Sequence, residues 1–83
     1  MTLDELKQIV LRRGTNAKTI LDDEAFKEAL IAVKDRYMSA FEQSKIKESE
    51  VRETAYMAVR LLKEIEGQLR TYVSDALYEQ NKP

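Results

Sequence analysis

Ala55, Ala58, Leu62, Ile65, Leu69, Tyr72 and Ala76 are separated alternately by three and four residues, without a break. Only an α-helix brings residues at that spacing onto one side, and a stripe that keeps it for three heptads suits packing along another helix. Val51 extends the same side by one turn. The pattern predicts a long helix over about 50–78 and sets the fold class as all-α.

Little in the chain opposes helix. Gly and Pro total three of 83 residues, and the single proline, Pro83, is the last residue. Hydrophobic residues make up 43 % and charged residues 35 %, a folded composition and not a disordered one.

Two further helices have start and stop signals. Thr2 and Glu5 have capping-box spacing, Asp4 and Glu5 suit a helix N-terminus, and Arg12 and Arg13 suit its end. Gly14 then reads as a left-handed stop, giving a first helix over 3–13. Its apolar face comprises Leu3, Leu6, Ile9 and Val10 with the stem of Arg13. A connector is expected over 15–21, with room for one turn around Ala17 to Ile20.

Asp22 is the expected cap of the second helix, and Leu21 and Phe26 have the spacing of a hydrophobic staple. That helix should reach Gln43, with Phe26, Leu30, Val33, Tyr37 and Ala40 as its stripe. The polar stretch Ser44–Glu48 is short enough to join antiparallel neighbours, and Ser49 is the expected cap of the third helix. The expected division is therefore 1–21, a short N-terminal helix and connector, and 22–83, a long antiparallel helical hairpin, forming one domain. Gly67 faces away from the seam. It reads as a tolerated surface glycine, the alternative being a bend or a site of close backbone approach.

A chain this short buries only about 60 % of its unfolded surface. Small folds gain stability from disulfides, metals or oligomerisation. There is no cysteine and no histidine, so disulfides are excluded and the commonest zinc ligand and general base are missing. Association is the remedy left. Ile31, Met38, Tyr56, Leu61, Leu77 and Tyr78 are apolar or aromatic residues that one seam cannot cover, and they are the expected partner interface. A homo-oligomer of hairpins is the favoured arrangement.

Enzymatic chemistry finds no support. The acids Asp22, Asp23 and Glu24, and Glu48, Glu50 and Glu53, sit where helix starts explain them. No serine has a histidine to activate it, and the adjacent Ser44 and Lys45 point apart. No cofactor, metal ligand set or phosphate loop is expected. Lys7, Arg12, Arg13 and Lys18 make the first segment mildly basic, and grouped around a turn at Gly14 they could contact phosphates. The simpler reading is that Arg12 and Arg13 finish a helix. Net charge is −1, so no global attraction to nucleic acid arises. The apolar run Ala29 to Val33 is far below the roughly 20 residues of a membrane span, and the first thirteen residues lack a signal-peptide pattern. A cytoplasmic protein with no membrane partner is expected.

Leu21-Asp22, Phe26, Ala29-Leu30, Tyr37 and Phe41, then Arg52-Glu53, Tyr56, Leu62, Leu69 and Val73, resemble a group of short helical proteins of tailed bacteriophages. The 22–78 region is similar to the ring-forming hairpin of phage small terminase subunits. The resemblance implies a non-enzymatic oligomer in the host cytoplasm that assists DNA packaging or head assembly, with the large terminase or another assembly protein as partner. The chain departs from small terminases in having only the first helix where many carry a helix-turn-helix, so sequence-specific DNA reading is not implied. The alternative from the residues alone is a small helical adaptor or inhibitor docking on a larger host or phage protein.

Overall fold

A computed structural model describes all 83 residues. Three helices, α1 (Leu3–Asp22), α2 (Glu24–Gln43) and α3 (Ser49–Gln80), make up almost the whole chain, and there is no strand. The all-α expectation holds. The helices form two compact units. One comprises residues 1–23 and 66–83, the other residues 24–65, and α3 contributes to both.

In the first unit, α1 begins as expected, with the Thr2 hydroxyl accepting the Glu5 N–H at 3.1 Å. It does not stop at Gly14. The expected stop and the connector over 15–21 are both replaced by helix that runs to Asp22. Gly14 has no positive φ; it is a buried helical residue packed on α3. A Cβ built there would overlap the Cβ of Ala76 and lie 2.8 Å from the Tyr72 carbonyl oxygen. Glycine is thus required for close approach and not for a turn. The packed stripe of α1 runs through Val10, Gly14, Ala17 and Leu21, whereas Leu3 and Leu6 are exposed.

Asp22 therefore closes α1 instead of capping α2. Its carboxylate accepts from Lys18 Nζ at 2.9 Å, one turn back. Asp23 is the one non-helical residue before α2, in extended conformation, with its N–H on the Ile20 carbonyl.

In the second unit the expected α2 stripe is the inward one: Phe26, Leu30, Val33, Tyr37 and Ala40 are all partly buried. The turn to α3 is held by its own polar groups. Glu48 Oε1 accepts the Lys45 N–H at 2.8 Å, and the Glu48 N–H returns to the Lys45 carbonyl at 2.8 Å. The Arg52 guanidinium donates to the carbonyls of Lys45 and Ile46. Glu48, not Ser49, is the last residue outside the helix, and Ser49 is its first.

The seam of α3 differs in part from its expected register. Ala55 and Ala76 are buried and Leu62 and Leu69 partly so, as the heptad requires. Val59 is more buried than Ala58, however, and Ile65 is 56 % exposed. Glu66 turns inward instead, where it accepts from Arg70 at 3.0 Å. The change falls where α3 passes from one unit to the other.

Gly67 has nothing within 4 Å of the position a Cβ would take. Gly67→Ala is accordingly expected to stabilise the chain by about 0.5–1 kcal/mol, because it lowers the entropy lost on forming helix. A denaturation midpoint unchanged or lowered by this substitution would show that another backbone approaches there.

Candidate interaction faces

The buried core consists of small residues: Gly14, Ala17, Ala55 and Ala76, with Val59 the largest. No large side chain is fully buried. The six residues expected at a partner interface, Ile31, Met38, Tyr56, Leu61, Leu77 and Tyr78, are between 42 % and 68 % exposed.

The unit 24–65 gathers four of these six onto two faces. On the first face, Met38 and Phe41 of α2 and Tyr56 and Val59 of α3 line a groove of about 310 Å³. Ala55 lines its floor, and Arg60 and Lys63 supply its only charges. Arg60 is paired with Glu64, one turn on, at 3.7 Å. Ile31, seven residues before Met38, is on the same side of α2, since seven residues are close to two turns.

The second face is the other side of α3. Successive residues of a helix turn by about 100°, so Leu61 and Lys63 point about 200° apart. Here Met57, Ala58 and Leu61 form a shallow apolar hollow beside Glu53 and Thr54. A neighbouring hollow holds Val51 and Glu50 of α3 with Tyr37 and Ala40 of α2. The charges lining these hollows are Glu50 and Glu53, and Glu53, seven residues before Arg60, lies on the same side of α3 as that arginine.

Leu77 and Tyr78 belong to the other unit. Leu77 borders a small hollow of about 90 Å³ beside Gly14, Lys18 and Ala76. The ring of Tyr78 lies 5.4 Å from Lys82 Nζ.

Phe41, Met57 and Val51 were not singled out as interface residues by sequence. Phe41 lies one turn from Met38, which is a usable signal. Met57 lies in Ala55–Val59, which is apolar all round and so shows no preferred side.

The four basic residues are not grouped. With no turn at Gly14, Arg12, Arg13 and Lys18 project about 100–140° apart around a continuous helix. The Arg13 guanidinium stands 5.0 Å over the Tyr72 ring, and Lys18 is paired with Asp22. The turn at Gly14 around which these cations would group is absent, because the helix continues through it to Asp22.

Other chemistry-bearing groups are also dispersed. No three carboxylates converge as a metal site would need. The Ser44 hydroxyl donates to the Phe41 carbonyl at 2.7 Å. No helix is long and apolar enough to cross a membrane. Compared with known protein families, curated proteins and solved structures, the chain gives no match.

Proposed function

We propose that this chain is a non-enzymatic building block that acts by self-association through its helix faces. The observation that carries this reading is the thin core beside open apolar hollows: nothing larger than Val59 is buried, while Met38, Tyr56, Met57 and Leu61 face solvent.

The process follows from the resemblance of residues 21–73 to short phage proteins. An oligomer of helical hairpins, similar to the ring-forming part of a small terminase, would assist DNA packaging or head assembly in a phage-infected cytoplasm. The scattered cations of α1 give DNA no defined contact site, so the favoured partner is a protein, the large terminase or another assembly component.

Size-exclusion chromatography with light scattering tests the first part. An assembly larger than a monomer is expected at micromolar concentration. A monomer there would overturn self-association and leave the faces to a different protein, the adaptor or inhibitor reading. Pull-down of a large terminase subunit by the assembled chain tests the process; its absence would remove the packaging role and leave the assembly standing.

A further inference from the structure

We infer that two copies of this chain pair antiparallel about a two-fold axis beside Leu61, the Met57–Leu61–Ile65 ridge of each filling the trough next to the same ridge of the other. The inference rests on the self-association reading and names the contact. It starts from the residue that leaves the seam. Ile65 is 56 % exposed, with Leu61 at 54 % and Met57 at 53 %. Spaced by four, these three residues form one ridge along α3, with Glu53 at its start. The adjacent row of that spacing runs through the smaller Thr54 and Ala58. The hollow lined by Glu53, Thr54, Met57, Ala58 and Leu61 is the trough between the two rows.

A trough between rows of this pitch takes a ridge of the same pitch, and such packing of like rows is the commonest between helices of globular proteins. A second α3 supplies that ridge. One surface carries both ridge and trough, so a single two-fold operation fills both troughs at once, and the contact closes as a dimer. Its register follows from levels along the helix. With the axis between Leu61 and Leu62, Ile65 comes level with the other copy's Ala58, in the trough, and the two Leu61 side chains are neighbours.

The flanking charges fit the same axis. Arg60 and Glu64 lie on the next row, 3.7 Å apart, each side chain 62 % exposed. The axis brings Arg60 of each copy within about 1.5 Å, one residue's rise, of the level of Glu64 in the other. Parallel pairing in register would instead bring arginine level with arginine, and like charges set against each other count against it.

The chain has no cysteine, so introduced thiols report the contact. Leu61→Cys should oxidise to a disulfide-linked dimer, because its two copies meet at the axis. Lys63→Cys, about 200° round the helix, should not. Arg60→Cys mixed with Glu64→Cys should link faster than either variant alone, which reads the antiparallel register. In light scattering Leu61→Asp and Ile65→Asp should be monomers that keep the helical circular dichroism of the wild type. Three side chains from each copy make a small contact, so near its dissociation constant its loss changes folding stability little. Absence of the Leu61→Cys dimer, equal linking by Lys63→Cys, or a Leu61→Asp variant of wild-type mass would overturn this contact while self-association stands. Faster linking of Arg60→Cys or Glu64→Cys alone than of their mixture would overturn the two-fold register. A monomeric wild type would overturn both the contact and self-association.

Discussion

Gly14→Leu is expected to remove most of the folding stability of the unit built from residues 1–23 and 66–83. α1 approaches α3 so closely at this point that one added carbon meets both a side chain and a backbone oxygen. The Cβ of Ala76 cannot rotate away, and the Tyr72 carbonyl 2.8 Å from the added Cβ is fixed by its own helix. For Gly14→Ala two effects compete. Alanine improves α1 as a helix by about 1 kcal/mol, while overpacking a tight contact costs about 1–3 kcal/mol. Because the obstruction is rigid, overpacking should win and the variant should be modestly destabilised.

Leucine forces the helices apart and exposes Ala17 and Ala76 as well. A loss of about 3 kcal/mol or more is then expected, out of roughly 5 kcal/mol for a small domain. At about 4–8 °C for each kcal/mol, thermal melting followed by circular dichroism should fall by well over 10 °C. A wild-type melting temperature would mean that α1 does not rest on α3 through Gly14. Gly67→Leu is the internal control, since its surroundings are open and, like Gly67→Ala, it should melt a few degrees above the wild type.

The second large effect is expected from a charge placed in the α3 seam. Leu62 and Leu69 are partly buried, one in each unit. Leu62→Asp or Leu69→Asp loses apolar burial and sets a carboxylate against apolar neighbours without a partner, together costing about 2–4 kcal/mol. Chemical denaturation should show a large drop in midpoint for each. Leu61→Asp, one residue away and exposed, should leave the midpoint nearly unchanged. If Leu61→Asp were the more damaging, the register of α3 would be wrong by one position.

Much of this arrangement is legible in the sequence, because helical periodicity reports directly on the inward side. The stripe from Phe26 to Ala40 was read correctly, and so were Ala55, Leu62, Leu69 and Ala76. Misreadings cluster where a local signal had two physical causes. A glycine after Arg12-Arg13 has the chemistry of a helix stop, yet a glycine inside a helix pressed against another has the same sequence neighbourhood. What separates the cases is Ala76, far along the chain.

Asp22 was misplaced for the same reason: an acid serves as well in an i, i+4 pair with Lys18 as in a cap. Ile65 and Glu66 exchange sides because α3 changes partner there, and a single periodic template cannot anticipate that. Candidate interface residues were legible as the apolar remainder after one seam is filled.

The contact between Gly14 and Ala76 has a consequence for the order in which the chain acquires its structure. The turn held by Glu48 and Arg52 joins segments that are near neighbours in sequence, so α2 and the start of α3 meet after a short loop closes. Bringing Gly14 to Ala76 closes a loop of about 60 residues, which adds roughly 1.6 kcal/mol of entropy loss over a ten-residue closure. Local pairing is therefore the early event and the docking of α1 the late one. Reversed, the same order makes α1 the first helix to peel away when the protein is pulled or warmed, before the pairing of α2 with the start of α3 is disturbed.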